Sequence, residues 1–134
     1  MYHCKATNKF GTIISESAEL SFGFINEFNL KRSEERGDNH WGKVMYCDPP
    51  QHFPDVSYYW VREYFPNFVE EDKRVFVSHD GALYFSALET IDRGNYSCYV
   101  QNIAFDIGRN GPFFPLKVDM HCNYFGFYFT HLTE

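Results

Sequence analysis

Asp92-Arg93-Gly94-Asn95-Tyr96-Ser97-Cys98 is the stretch that decides the fold. It reads D-x-G-x-Y-x-C, a tight corner running into a β-strand that carries a cysteine. Cys47 lies upstream, and Trp60 follows it by 13 residues. Cysteine, tryptophan, tyrosine and cysteine in that order pin two packed antiparallel sheets. The 51-residue separation of Cys47 and Cys98 suits a bridge from one sheet to the other.

Working outward, the flanking strands show the period of two expected of half-buried sheet. From Asn95 to Gln101, Tyr96, Cys98 and Val100 are expected to face in, and Asn95, Ser97, Tyr99 and Gln101 out. In Val56 to Arg62, Tyr58 and Trp60 are expected inside, and Tyr59 and Val61 outside. Gly42 to Cys47 places Met45 with Cys47 on the inner face, with Lys43 at the mouth. Arg74 to Ser78 reads as a short strand and His79-Asp80-Gly81 as a turn. Leu83, Phe85 and Leu88 lead into Asp92. Asp106 to Gly111 reads as the last hairpin loop, and Phe113 to Val118 closes the sheet. The fold class is therefore all-β: an immunoglobulin-like antiparallel β-sandwich.

Each pin has a physical role. Trp60 is expected to pack on the Cys47–Cys98 bridge. Tyr96 is expected to hydrogen-bond backbone a few residues upstream. Gly94 supplies a backbone conformation that other residues resist. Asp92 is expected to pair with Arg74 or Lys73 across the bottom of the sandwich; an exposed pair there contributes about 0–1 kcal/mol.

Residues 1–23 read as a piece of something else. Tyr2-His3-Cys4-Lys5-Ala6-Thr7-Asn8 repeats the Y-x-C strand end about one domain length earlier, which suggests a tandem array. Lys9-Phe10-Gly11 is a turn, and Thr12 to Phe22 a second strand with Ala18, Leu20 and Phe22 on one face. The expectation is the last hairpin of a preceding immunoglobulin domain, its partner cysteine upstream. The alternative is a first strand pair native to the main domain. Gly23 to Leu30 bridges into the complete domain, 24–118, and Lys31 to His40 reads as a polar surface loop. Residues 119–134 form an aromatic-rich tail without trustworthy alternation.

Composition narrows the function. Aromatics are 20% and hydrophobics 44% of 134 residues, ample for a packed core. The net charge of −6 and the lack of a basic face exclude nucleic acid as a partner. A disulfide implies an oxidising compartment, yet the chain shows no signal peptide, no apolar run near the roughly 18 residues of a span and no lipid-anchor signal. A fragment of a longer ectodomain is the expectation.

No catalytic motif is present: there is no G-x-S-x-G, H-E-x-x-H or phosphate-binding glycine loop. The chain is expected not to be an enzyme and to need no cofactor. His3-Cys4 and His121-Cys122 are poor metal ligands, because neighbours on a strand point to opposite faces. A Cys4–Cys122 bridge requires the two ends to meet. Arg36-Gly37-Asp38 spells the integrin tripeptide, but so short a match arises often by chance. Asn95-Tyr96-Ser97 is an N-x-S sequon, making Asn95 a glycosylation candidate. Tyr59, Val61, Tyr99 and Gln101, all expected outward, form the candidate partner face, since aromatic residues are enriched at interfaces.

Three blocks carry a family resemblance. These are Cys47-Asp48-Pro49-Pro50-x-His52-Phe53-Pro54-Asp55, the stretch Phe65-Pro66-x-Phe68-Val69-Glu70-Glu71-Asp72-Lys73-Arg74-x-Phe76-Val77-Ser78, and Gly94-Asn95-Tyr96-Ser97-Cys98. They closely resemble the second immunoglobulin domain of contactins, of an arthropod type. Tyr2-x-Cys4-x-Ala6-Thr7-Asn8-Lys9-x-Gly11-Thr12-Ile13 looks like the end of the contactin first domain. The likeness runs from about Tyr2 to Val118 and stops before 119–134. It implies a neural or epithelial cell-surface adhesion glycoprotein, with roles in axon guidance and at cell junctions. Such proteins carry six immunoglobulin and four fibronectin type III domains and a lipid anchor, and their second domain packs on the third within a horseshoe. Implied partners are other cell-surface adhesion proteins of the immunoglobulin and neurexin superfamilies and the neighbouring domains of the parent chain. The competing readings are a secreted or receptor-type ligand-binding immunoglobulin domain and a truncated fragment without a function of its own.

Overall fold

The computed structural model describes residues 1–102, 104–120, 122–124 and 127–129. Its strands, in chain order, are β1 (Lys5–Asn8), β2 (Gly11–Ile14), β3 (Phe24–Ile25), β4 (Glu35–Asp38), β5 (Lys43–Met45), β6 (His52–Phe53), β7 (Ser57–Arg62), β8 (Val75–Val77) and β9 (Leu83–Phe85). A 3₁₀ turn, Thr90–Asp92, leads into β10 (Gly94–Asn102), followed by β11 (Ile107–Asn110), β12 (Phe114–Asp119), β13 (Cys122–Tyr124) and β14 (Phe127–Phe129).

β10 is the axis of the larger sheet. One edge pairs antiparallel with β7, from Tyr96 opposite Arg62 to Gln101 opposite Ser57. The other edge pairs first with β12 and then with β11. Between them the chain crosses at Gly111, whose N–H donates to Cys98 O at 2.8 Å. A side chain at Gly111 would press on that carbonyl and on the Phe28 ring, so glycine permits the close approach. β5, β9 and β8 form the second sheet, antiparallel throughout.

The core lies between these two sheets. Met45, Cys47, Val75, Leu83, Phe85 and Leu88 from one side meet Trp60, Tyr96, Cys98, Val100, Phe114 and Leu116 from the other. Cys47 and Cys98 are joined by a disulfide with Cα atoms 5.4 Å apart. Trp60 sits directly opposite Cys98 on β7, edge-on to Phe114 at 6.0 Å. Its indole N–H donates to Gly81 O at 2.9 Å, which satisfies its one polar atom in the interior.

The arrangement of strands departs from the sequence expectations in four places. Lys31 to His40 is not wholly a loop: β4 runs parallel to β12, Leu116 facing Glu35 and Asp119 facing Asp38. Backbone pairing needs no apolar side chains, and the charges are neutralised locally. Glu35 takes Arg32 at 3.2 Å and Lys43 at 3.0 Å, while Arg36 takes Glu34 and Asp119, each at 2.9 Å. The Arg36-Gly37-Asp38 tripeptide is thus held in a paired strand, with Gly37 against Leu88.

Asp106 to Gly111 is likewise a strand for most of its length. The chain turns earlier, at Asp106 with φ of 51°, and Ile107–Asn110 pairs with β10. The second strand of the N-terminal hairpin ends at Ile14 rather than Phe22, and Leu20 and Phe22 stay exposed. Finally, β13 and β14 form an antiparallel hairpin in the tail. His121 and the side chain of Cys122, invoked for metal or disulfide formation, lie outside the described residues. Cys4 is exposed and carries no disulfide.

Candidate protein-binding face

The corner that precedes β10 is built around Asp92. Tyr96 donates its hydroxyl to Asp92 O at 2.7 Å, closing the turn from inside the core. The Asp92 carboxylate takes both terminal nitrogens of Arg74, at 2.6 and 2.9 Å, and the Glu89 N–H at 2.7 Å. Arg74 also donates to Ala87 O at 3.0 Å. Side-chain exposures of 24% for Arg74 and 6% for Asp92 make this a largely buried bidentate pair. The hydrogen bond to Asp92 is the main cause holding the Arg74 guanidinium above its ordinary pKa.

Arg62 was not singled out from sequence, yet it ties β7 to the corner. It donates to Ile91 O and, at 2.7 Å, to Arg93 O, and its guanidinium lies over the Tyr96 ring at 5.7 Å. Gly94 has φ of 154°, and a side chain there would strike the Glu63 carboxylate. That carboxylate accepts from Asn95 N at 3.0 Å. Asn95 itself is exposed. Burial pushes the Tyr96 hydroxyl up to about 12, with Arg62 opposing.

Above the corner, the outer side of β7 and β10 carries four aromatic rings. Tyr59 and Tyr99 are direct cross-strand neighbours, 6.3 Å between centroids. Phe65 lies 5.3 Å and Phe68 5.8 Å from Tyr99, and Phe68 lies 5.7 Å from Tyr59. Tyr59, Phe65 and Phe68 remain 39%, 50% and 42% exposed, so the cluster is packed within itself but open above. Gly108 makes room for the Tyr99 hydroxyl, which occupies the space a side chain would need. Gln101 is half-buried at the far end, opposite Ser57 and Gly108.

Val61, expected on this face, and Ser97, expected to point outward, are both covered. Val61 is fully buried, because the chain folds back after β7: Phe68 bridges to Val61, and Val69 N donates to Trp60 O at 2.8 Å. Ser97 is also fully buried, its hydroxyl donating to Gly111 O at 2.7 Å where β11 passes into β12. Phe65 and Phe68 take their place. The clue in the sequence was two phenylalanines within four residues around Pro66, in a segment where polar residues would be expected of a plain loop.

Among the described residues, no group of three His, Cys, Asp or Glu side chains is placed to hold a metal ion. None of their helices is long and apolar enough to cross a membrane.

No family model matches the chain. It does match known proteins in sequence. Contactin of Drosophila melanogaster is 70% identical over 123 residues, 92% of this chain and 9% of that protein. Mouse contactin-6 is 45% identical over 87% of this chain and 12% of its own length; human contactin-1 is 43% identical with the same coverage. The chain thus spans about a tenth of the length of these relatives. Among solved structures, the insect immune protein hemolin superposes with a TM-score of 0.71 at 21% identity, covering 93% of this chain and 34% of hemolin. Sidekick-1 immunoglobulin domains 1–5 give 0.66 at 17% identity, covering 89% of this chain and 26% of that one. At such identities these structures speak to the fold alone. The chain is contactin-like in sequence and immunoglobulin-like in fold.

Proposed function

We propose that this chain is a recognition module of a contactin-like cell-surface protein, acting by protein–protein binding and not by catalysis. The observation that carries the reading is the four-ring cluster of Tyr59, Phe65, Phe68 and Tyr99, open to solvent on the outer face of the central sheet. Aromatic rings held rigid at a surface are the residues that most often anchor protein interfaces. The partner class is another adhesion protein of the immunoglobulin or neurexin superfamily, or a neighbouring immunoglobulin domain of the parent chain. The parent would act at the outer face of the plasma membrane.

Cell aggregation driven by the longer parent tests the reading. Phe65→Ser with Phe68→Ser in that parent is expected to abolish aggregation or partner binding while the module stays folded. Unchanged aggregation would defeat it.

A specific observation favours a second reading, a fragment without autonomous function. Every residue of β1 and β2 is exposed, including Ile13 and Ile14. In this reading 1–23 is the last hairpin of a neighbouring domain, 24–118 the complete one and 119–134 an unrelated tail. Partner binding by the isolated chain separates the two readings.

Asn95 is the proposed glycan site, supported by its exposure. Because the Ser97 hydroxyl is buried in the finished sheet, the sugar would be added before folding. Glycosidase treatment of secreted protein is expected to increase its gel mobility, and Asn95→Gln to remove that shift.

A further inference from the structure

The outer edge of the second sheet is closed by the chain itself. β8 is its last strand. Arg74 and Ser78 turn their backbone groups toward β9: Ser86 N donates to Arg74 O and Ser78 N to Ala82 O, each at 2.8 Å. By alternation, Val75 and Val77 point theirs away, to the open side. Glu71 and Asp72 occupy three of these four groups. Val75 N donates to Asp72 Oδ1 at 2.8 Å and Val77 N to Glu71 Oε1 at 2.6 Å. Val75 O accepts from Asp72 N at 2.8 Å. Asp72 Oδ1 also takes Arg74 N at 2.7 Å. These backbone donors, Arg74 before Val75, hold the Asp72 carboxyl below its ordinary pKa.

Val75-Phe76-Val77 without this cap would be a short, apolar, β-prone edge, the kind of surface on which another strand pairs. We propose that Glu71 and Asp72 are an edge cap, and that the β8 edge, once uncapped, pairs antiparallel with β8 of a second copy of this chain. The outward groups belong to Val75 and Val77. A two-fold axis through Phe76 would therefore set Val75 of each copy against Val77 of the other, exchanging both hydrogen bonds. Phe76 would meet its own counterpart at the position where facing side chains are closest. Its ring is already exposed and stacked on Tyr84, centroids 5.0 Å apart and planes 2° apart, and Tyr84 sits opposite Val44. Pairing would extend that apolar row, Val44, Tyr84 and Phe76, across both copies. With the cap in place, two pairs of carboxylates would instead confront each other.

Sedimentation equilibrium of the full chain at neutral pH tests this, with near-UV circular dichroism to check the fold. Glu71→Ala with Asp72→Ala is expected to self-associate at least tenfold more tightly than the parent. Adding Val77→Pro, which deletes an N–H pointing away from β9, is expected to reverse the gain. Unchanged association, or a gain that survives Val77→Pro, overturns the proposal. So does a double variant that stays monomeric yet binds an unrelated Val-Phe-Val peptide. Should the double variant lose its fold, Glu71→Ala alone carries the test by hydrogen exchange. The Val77 amide is expected to exchange at least tenfold faster, and an unchanged rate would show that Glu71 caps nothing.

Discussion

The chain contains the same Y-x-C signature twice, with opposite fates. Tyr96 is 2% exposed and donates to Asp92 O, and Cys98 is bridged to Cys47. Tyr2 is 63% exposed, and Cys4 is free at the surface. Tyr96 to Cys98 lies within β10 and pairs in register with β7, whereas Tyr2 makes a single bridge to Ala18 and Cys4 stands just before β1. What differs is the second layer. β10 is flanked on both edges and faces the sheet of β5 and β9 across the disulfide, whereas β1 pairs with β2 and, among the described residues, none buries either strand. The signature therefore specifies a strand and its corner. Burial comes from the opposing sheet, and a lone hairpin cannot supply one.

The comparison can be broken most severely at the core. Trp60→Ala is expected to cost about 3–5 kcal/mol, because it empties the volume beside Phe114 and the disulfide. Phe10→Ala in the hairpin turn should change the unfolding midpoint hardly at all. Equal losses from the two would mean that the hairpin belongs to the same cooperative unit.

Next in size is the ion pair under the corner. Arg74→Met leaves the Asp92 carboxylate buried without its partner and is expected to cost about 3 kcal/mol or more. Replacing Arg36, whose two carboxylate contacts lie at the surface, should cost about 0–1 kcal/mol. Urea unfolding of both variants ranks them. A loss at Arg74 no larger than at Arg36 would show that Asp92 is solvated after all.

Tyr96→Phe is smaller, about 1–3 kcal/mol for the carbonyl of Asp92 left unpaired. It also carries a pH signature. The Tyr96 hydroxyl ionises near 12 in the folded chain against an ordinary value of 10.0. The stability this contributes is complete below pH 10 and is lost as pH rises through about 12. The parent should thus weaken more steeply across that window than Tyr96→Phe. Parallel slopes would contradict the buried environment. Tyr2→Phe should leave stability unchanged, since that ring is exposed.

On the aromatic face the effect on stability is expected to be modest. Phe65→Ser with Phe68→Ser should cost about 1–2 kcal/mol at most, since both rings are half open already, while partner binding is lost. A large loss of stability without loss of binding would recast these rings as a lid over Val61.

The architecture was legible where a strand is read by its own alternation. Tyr96, Cys98 and Val100 on β10 and Trp60 on β7 needed nothing beyond period two and the corner. The errors share a cause in long-range covering. Val61 and Ser97 obey the outward phase, but one lies under the returning Phe65–Phe68 segment and the other under the crossing at Gly111. β4 escaped because its residues are Glu, Arg, Gly and Asp, and a strand held by backbone pairing alone leaves no hydrophobic period. Half of the candidate face, Phe65 and Phe68, sits in a proline-broken segment with no period to read.

Residue-resolved hydrogen exchange at neutral pH tests the central contrast most directly. Amides of β10 from Tyr96 to Val100 should exchange only through global unfolding, and those of β1 and β2 at rates near a free peptide. Protection of Ala6 and Ile13 matching that of Cys98 would contradict the account, because the two copies of the signature would then belong to one folded unit.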